Sequence, residues 1–407
     1  LVATVSEDEF QYEPNPNEIS EARWVGVREV WHMVNGKENW RDELVAPWFK
    51  LLYIEFLKIS LPEFPHPREN IVHFGEVGMG GKSVVPGQNL MDALGSHRDI
   101  VEEVIMASLG KMKQERLHGA MTHLFAGGGK RLRAILPRLV GEAVGEVHEG
   151  HYTLGACIEI IHNFTLVHDD IMDGDDLRHN VATIHEKWDN ARAVLAGDGL
   201  GSLGPIFIGK IKKNTLDILT RYNEVILEVC EGQAYDMEFE SRDASVDEYI
   251  LMSEKKTGSL FELCFEIPSL ISDDYLEFKS QLKQFGRNLG IIFQIQDDIL
   301  EMSTSSENMG KGTSSDIKRN KKTILSSMAL DHDRDGWNIL QEKIKHISLE
   351  EKKLILRDYY RNAGIIEKSN ELLLNFENKC KDIIKSLPNT IHDDIIVLLN
   401  IIIKREK

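Results

Sequence analysis

The chain has 407 residues and a formal net charge of −18, with 48 Lys and Arg against 66 Asp and Glu. That balance argues against nucleic acid as the main partner, because nucleic-acid binding needs a broad basic surface. Hydrophobic residues make up 42% and charged residues 28% of the chain, which is typical of a soluble globular protein with a large core.

The N-terminal part is predicted to be a small α/β piece. Residues 1–61 contain a strand-like LVATV, a turn-rich EPNPNE, a short strand ARWVGV and a helical VAPWFKLLYIEFLKI. Residues 62–88 are crowded with Pro and Gly and indicate a linker. Because the chain begins inside a strand-like segment, we expect a longer gene product.

From residue 89 to residue 407 the sequence predicts a large all-α domain, since long helical patterns follow one another with few prolines and almost no strand signal. No apolar stretch reaches the length of a membrane span, and there is no signal-peptide pattern. Four cysteines lie far apart without a CxxC pair, which indicates reduced thiols in a cytoplasmic protein.

The stretch LVHDDIMDGDDLRHN places five aspartates within eight residues, directly after an apolar run that predicts a buried helix. Asp169, Asp173 and Asp176 would share one stripe of that helix, with Asp170 beside it. Like charges at these spacings destabilise a helix, so the cluster needs compensation. A bound hard cation would supply it, and a solvated acidic helix end is the alternative.

The acidic pattern recurs in GIIFQIQDDILE, where Asp297 and Glu301 are one helical turn apart. Two such helix ends facing each other would hold several cations. Mg²⁺ typically binds one or two carboxylates together with substrate phosphates, so a diphosphate would suit this arrangement.

Basic residues for phosphate are also present. GGGKRLR is a glycine run that opens into a helix, where backbone N–H groups and the helix dipole favour anions. Lys130 and Arg133 add positive charge there. The segment KGTSSDIKRNKKT supplies Lys311, Lys321 and Lys322 after the second acidic pair.

Together these stretches resemble the trans-prenyltransferases, or isoprenyl diphosphate synthases. In that family GGKRLR, a first DDxxD, GQxxD, KT, FQxxDD and a GK…D…K segment follow in this order, and here the match runs from about Leu94 to the C-terminus. The resemblance implies a mainly α fold, an all-α helical bundle around a central cavity. It also implies a homodimer or higher homo-oligomer that binds isopentenyl diphosphate and allylic diphosphates.

The resemblance implies a role for each matching residue. About three Mg²⁺ ions on the allylic diphosphate would be held by acidic residues of the two motifs: Asp169, Asp170, Asp173, Asp297, Asp298 and Glu301. Lys256, Lys321 and Arg178 would bind the same diphosphate, and Lys130, Arg133 and His162 would bind isopentenyl diphosphate. Gln233, Asp236, Thr257 and Gln294 match further cavity positions.

Two positions depart from the family pattern. Glu301 stands where the family commonly has aspartate, and its side chain reaches about one methylene further toward a metal than aspartate does. His179 stands where a second arginine commonly contacts isopentenyl diphosphate. An imidazole with an ordinary pKa of about 6.5 is mostly neutral in the cytosol. We therefore expect weaker and more pH-sensitive binding of isopentenyl diphosphate.

Two residues before the first motif bear on product length. Phe164 lies five positions before Asp169, about 7.5 Å along the helix axis, and Thr165 next to it is small. This pattern resembles the archaeal type that stops at the C20 product, geranylgeranyl diphosphate. Ordinary core packing of Phe164 is the alternative, and C15 or C25 products stay open.

EPNPNEISEARWVGVREV and APWFKLL resemble the C-terminal part of a type 1 isopentenyl diphosphate isomerase, a Nudix fold in which Trp48 matches an active-site tryptophan. The catalytic cysteine and metal-binding glutamates of that domain would lie upstream, so we expect no isomerase activity from this chain. An isomerase–synthase fusion is one hypothesis for the full gene product. In the other, residues 1–90 are a docking module.

Two rival functions exist for the all-α domain. A terpene cyclase would carry an NSE-type second metal motif and lack the isopentenyl diphosphate site, whereas GGGKRLR and FQIQDD are both present. A catalytically weak regulatory subunit would typically lose one acidic motif. This chain keeps both, so the sequence favours Mg²⁺-dependent prenyl transfer.

Overall fold

A computed structural model describes residues 88–110, 112–144, 148, 150–179, 181–272, 278–303 and 321–403. The predicted isomerase-like piece 1–61, residues 62–87 of the predicted linker, Trp48 and Lys311 lie outside the described residues. The prediction of an all-α domain is confirmed: the described part is a helical bundle with one short hairpin.

The helices and the hairpin of the described residues come in this order along the chain. They are α1 (Gln88–Leu109), α2 (Glu115–Ala126), α3 (Leu132–Ala143), α4 (Gly150–Asp173), β1 (Leu177–Arg178), β2 (Val181–Ala182), α5 (Ile184–Lys187), α6 (Asn190–Ile208), α7 (Thr215–Ser241), α8 (Val246–Ser253), a π-helical turn here called the π turn (Glu254–Gly258), α9 (Ser259–Ile271), α10 (Lys279–Ser303), α11 (Ile324–His332), α12 (Arg334–Ile344), α13 (Leu349–Asn362), α14 (Ile365–Ser386) and α15 (Asn389–Ile403). The two strands pair antiparallel, with Arg178 opposite Val181.

The core lies around α4, α9 and α10. The apolar run of α4 is buried on most sides, as the sequence predicts, and α4 packs against α1, α3, α6 and α9. Every residue of α9 is buried, including Glu262 and Glu266. Buried carboxylates need cationic partners, and these two receive them from α7 and α10.

All four cysteines are free thiols, with Cys157, Cys264 and Cys380 buried and Cys230 exposed on α7. Within the described ranges, no helix combines the length and the apolar character needed to cross a bilayer.

Candidate active site

The first acidic motif lies at the C-terminal end of α4. The helix ends at Asp173, where Gly174 turns into the left-handed region with φ 60°. The N–H of Asp175 donates to the carbonyl of Asp170 at 3.0 Å, which closes a Schellman-type cap. Asp169 and Asp173 therefore share one helical stripe as predicted. The prediction that Asp176 extends the stripe is wrong, because the chain has already left the helix.

Asp170 differs from its neighbour Asp169 in being buried. Its Oδ1 accepts from Arg178 Nε at 2.9 Å and also from Arg178 Nη2, so the hairpin is tied to the helix end. Burial raises the pKa of Asp170 to about 6, against the opposing effect of Arg178, so the carboxylate is ionised at neutral pH. Its Oδ2 is buried and accepts no hydrogen bond from the described residues.

Two lysines from distant parts of the chain converge beside Asp169. Lys256 Nζ lies 2.6 Å from Asp236 Oδ2 and 3.7 Å from Asp169 Oδ2. Lys321 Nζ lies 3.3 Å from the same oxygen of Asp236. Burial alone would raise the pKa of Asp236, but Lys321 and Lys256 hold it below its ordinary value. The structure thus brings the two predicted lysines together on one shared counter-ion.

Lys256 and Thr257 belong to the π turn, an irregular helical segment of the kind often found at functional sites. Two helices pack closely against the turn, each through a glycine. A Cβ on Gly232 of α7 would lie 2.3 Å from Lys256 N, and a Cβ on Gly290 of α10 would lie 2.5 Å from Gly258 Cα. Only glycine allows helices to approach the turn this closely.

The second acidic motif divides into an exposed and a buried aspartate. Asp297 is exposed, whereas Asp298 is buried. Asp298 Oδ2 accepts from Tyr249 Oη at 2.6 Å and from the N–H of Ile324 at 2.9 Å, at the start of α11. Since protein donors already occupy its oxygens, the structure gives Asp298 an anchoring role. Metal binding by Asp297 and Asp298 stays a prediction.

A short polar chain links this motif to the π turn. Thr257 Oγ1 donates to Gln294 Oε1 at 2.9 Å, and Gln294 Nε2 donates to Asp298 Oδ1 at 3.2 Å. Glu301 is partly buried and lines a cavity together with Asp298 and Lys321. Thr257 and Gln294 therefore act together, as partners in one network.

A second cationic position lies where α3 packs against the middle of α4, before the first acidic motif. Arg133 of α3 lies with Nη1 3.3 Å from His162 Nε2, and its guanidinium carbon is 4.8 Å from the ring centroids of both Phe261 and Phe293. Burial lowers the pKa of His162 well below 6.5, and Arg133 and Arg178 lower it further. His162 is therefore neutral, and its Nε2 accepts from Arg133, which can only donate.

The glycine loop before α3 touches the β1–β2 hairpin. A Cβ on Gly127 would lie 2.9 Å from Val181 Cγ2, so the loop that carries Lys130 packs against the strand that follows His179. Lys130 and His179 are both exposed. His179 occupies the hairpin turn with φ 50°, a conformation in which histidine is enriched several-fold.

Arg131 is a residue of this loop that sequence reasoning missed. It is buried, with φ 47° at the start of α3, and it donates to the carbonyl of Phe125 at 2.7 Å. Its Nη1 lies 3.3 Å from Glu159 Oε1 and its Nε lies 3.2 Å from Glu102 Oε1. Arg131 therefore anchors the glycine loop. Glu159, a charge inside the apolar run of α4, was the available signal that a buried cation must exist.

The remaining predicted residues belong to α4 and α7. The Phe164 ring packs edge-on against His168, with centroids 4.8 Å apart, and faces Gly201 of α6. Thr165 Oγ1 donates to the carbonyl of His162 at 2.8 Å, within its own helix. Gln233 is buried, and its Oε1 accepts no hydrogen bond among the described residues.

No three His, Cys, Asp or Glu side chains of the described residues converge closely enough to hold a metal ion by themselves. Mg²⁺ typically takes one or two protein carboxylates, together with water and substrate phosphates.

The chain is similar to known proteins over the region that holds this site. The family model described as polyprenyl synthetase matches residues 114–360. A geranylfarnesyl diphosphate synthase from Natronomonas pharaonis is 33% identical over 318 residues, which cover 73% of this chain and 92% of that protein. A geranylgeranyl diphosphate synthase from Saccharolobus solfataricus is 38% identical over 265 residues, covering 63% and 78%. The crystal structure of geranylgeranyl pyrophosphate synthetase from Pyrococcus horikoshii Ot3 matches with a TM-score of 0.73 at 30% identity, covering 78% and 99%.

Proposed function

Because this chain belongs to the polyprenyl synthetase family and is a prenyltransferase, we propose that it joins isopentenyl diphosphate head-to-tail to allylic diphosphates. We further propose geranylgeranyl diphosphate, the C20 compound, as its main product. The observation that carries the proposal is the convergence of Lys256 and Lys321 beside Asp169, with a separate cationic position at Arg133. A transferase that condenses two diphosphates needs two anion sites.

The allylic diphosphate would bind between the two acidic motifs. Lys256 and Lys321 would exchange their contact with Asp236 for contact with the diphosphate, so that positive charge is already in place when the C–O bond breaks. Arg178, held by Asp170, would add a third cation with a fixed orientation.

The residues present fit Mg²⁺. Asp170 Oδ2 and Asp236 Oδ1 are buried acceptor oxygens without a hydrogen-bond donor among the described residues, and Asp169 and Asp173 share one helical stripe. We propose that about three Mg²⁺ ions would be held at the diphosphate by the acidic residues of the two motifs, Asp169, Asp170, Asp173, Asp297, Asp298 and Glu301. Bound Mg²⁺ supplies Lewis-acid stabilisation of the charge on the leaving group.

Isopentenyl diphosphate would bind at Arg133 and His162, with Lys130 and His179 at the rim of the site. The C–O bond of the allylic substrate ionises, and the alkene of isopentenyl diphosphate attacks the allylic cation. A proton then leaves the new C–C product and passes to the departed diphosphate. Because the substrate supplies its own base, the reaction needs no Ser–His or His–Asp pair from the protein.

Phe164 supports the proposed C20 limit. Its ring lies one to two turns below Asp169 and is held against α6 at Gly201. The geranylfarnesyl relative supports C25 as the second candidate for the product. A Phe164→Ala variant should lengthen the product by at least one C5 unit, whereas an unchanged product would assign Phe164 to ordinary packing.

We also infer a homodimer or higher homo-oligomer. Large apolar side chains are exposed on the neighbouring helices α6 and α7: Val194, Leu195, Ile206, Leu216 and Leu227. Apolar side chains grouped on exposed faces are typical of protein–protein interfaces. Light scattering coupled to gel filtration measures the assembly, and a monomer at micromolar concentration would contradict this inference.

The isomerase-like motifs within residues 1–61 support the fusion hypothesis for the full gene product, with residues 1–90 as a docking module the alternative. Sequencing the complete transcript tests it. A cysteine and a glutamate-rich helix encoded upstream would support the fusion, and their absence from the complete reading frame would favour the docking module.

The central experiment incubates the chain with Mg²⁺, labelled isopentenyl diphosphate and dimethylallyl, geranyl or farnesyl diphosphate, and sizes the products. Asp169→Ala should abolish elongation, whereas Asp176→Asn, three residues after the helix ends at Asp173, should leave it nearly intact. A C20 product that disappears only in Asp169→Ala supports the proposal. Absence of elongation with every primer would contradict it and favour the regulatory-subunit hypothesis.

A further inference from the structure

Arg287 of α10 lies beside the π turn, and it belongs to a network of charged side chains outside the proposed diphosphate site. Its guanidinium contacts three carboxylates on three elements. Nη1 donates to Glu254, the first residue of the π turn, and Nε donates to Glu262 of α9. Nη2 lies 3.4 Å from Glu228 Oε2 of α7. One side chain thus joins the π turn to α7 and α9.

The same network contains a second arginine that does not touch the π turn. Arg221 of α7 donates to Glu228 at 2.9 Å, to Glu262 at 2.8 Å and to Glu266 at 2.7 Å. Arg221 is more buried than Arg287, with side-chain exposures of 11% and 27%. The two arginines share Glu228 and Glu262, and they differ in that Arg287 also holds Glu254.

Position matters at the π turn because it carries Lys256. The turn contacts α7 through Gly232 and α10 through Gly290, so steric contact limits its movement toward either helix. Steric contact does not prevent movement away from them. The pair between Glu254 and Arg287 does, since it fixes the first residue of the turn two positions before Lys256.

We propose that Arg287 is a positioning residue for prenyl transfer, which acts through Glu254 to hold Lys256 at the allylic diphosphate site. The proposal rests on the role given to Lys256 under the proposed function. A planar guanidinium can bind three carboxylates at once in fixed directions, whereas a lysine ammonium is a point charge on a flexible stem. Arg287→Lys should therefore keep only part of this positioning effect, with a KM for the allylic diphosphate between those of wild type and Arg287→Gln.

The test compares Arg287→Gln with Arg221→Gln, which remove one arginine each from the same network. Arg287→Gln should raise the KM for the allylic diphosphate by about tenfold or more, since small misplacements of binding groups have large kinetic effects. The KM for isopentenyl diphosphate should stay within about twofold of wild type. Arg221→Gln should lower thermal stability at least as much as Arg287→Gln does. It should nevertheless leave both KM values near wild type.

Glu254→Gln provides the second arm, because it breaks the proposed link while keeping both arginines. It should raise the allylic KM as Arg287→Gln does, and the double variant should be no worse than either single variant. Equal KM values for Arg287→Gln and Arg221→Gln, or a wild-type KM for Glu254→Gln, would overturn the proposal. If Arg287→Gln does not fold, the KM for the allylic diphosphate is measured in Glu254→Gln and Arg287→Lys instead. Raised values support the positioning role, and wild-type values overturn it.

Lys256→Ala separates this inference from the proposed function. A large rise in the allylic KM for Lys256→Ala, together with wild-type kinetics for Glu254→Gln, would refute the positioning role alone. An unchanged allylic KM for Lys256→Ala would instead refute the role of Lys256 on which both proposals depend.

Discussion

Replacing Gly232 by alanine tests how tightly the π turn must be held. The added Cβ would lie 2.3 Å from the backbone N and 2.6 Å from the Cα of Lys256, whereas ordinary contacts begin at 3.4 Å. The π turn would therefore have to move by about 1 Å. Because the obstructing atoms belong to the backbone, no side-chain rotation can relieve the contact.

Two opposing effects set the expected change in stability. Overpacking of this kind costs about 1–3 kcal/mol, and replacing glycine by alanine inside a helix returns about 1 kcal/mol. We expect Gly232→Ala to lower the free energy of unfolding by roughly 0–2 kcal/mol. A displacement of about 1 Å at Lys256 should reduce kcat/KM for the allylic diphosphate by about 10- to 100-fold.

Gly119→Ala in α2 is the matched control, since a Cβ there would meet no neighbouring atom within 4 Å. It should keep wild-type kinetics and gain up to about 1 kcal/mol of stability. Urea unfolding and steady-state kinetics measure both variants. Wild-type kinetics for a folded Gly232→Ala, or equal losses in the two variants, would refute the reasoning.

Three further predictions concern single side chains. His151 is fully buried with no hydrogen bond among the described residues, and burial, with Arg138 and His148, lowers its pKa to about 3. The unfolded chain therefore binds the extra proton below pH 6.5, so the folded state should lose about 2 kcal/mol between pH 7 and pH 5. His151→Leu should remove that loss in urea unfolding, and an unchanged slope would contradict the assignment. Tyr249→Phe removes a donor to Asp298 and should cost about 1–3 kcal/mol by thermal unfolding, whereas a loss below about 0.5 kcal/mol would mean that the bond is dispensable. His179→Arg should lower the KM for isopentenyl diphosphate and flatten its pH dependence between about pH 6 and 8, and an unchanged profile would exclude His179 from that site.

The acidic motifs could be read from the sequence because helix periodicity fixes which residues share a face. Asp169 and Asp173 lie on one stripe for that reason. The error at Asp176 arose from Gly174, whose left-handed φ ends the helix. Glycine is the usual residue just after the last residue of a helix, so Gly174 in DDIMDGDD already indicates in the sequence that the helix ends before Asp176.

Contacts between distant residues could not be derived from spacing. Lys256 and Lys321 meet on Asp236 only because the π turn and the start of α11 reach the same place. No sequence feature distinguishes the π turn from an ordinary helix, and none predicts the left-handed backbone of Arg131. The family resemblance implies that these lysines bind diphosphate, and the structure shows the counter-ion that they share.

Under the proposed function, a chain with a net charge of −18 must attract two diphosphates. At physiological ionic strength, charges farther apart than about 8 Å are largely screened in water, so the surface charge has little influence inside the site. The local balance decides. Lys256 and Lys321 share the carboxylate of Asp236, and Lys256 also lies 3.7 Å from Asp169, so carboxylates hold both lysines in place. Asp236→Asn would remove that carboxylate and free the two lysines to separate. Under the proposed function, Asp236 therefore keeps Lys256 and Lys321 close together until an allylic diphosphate takes its place.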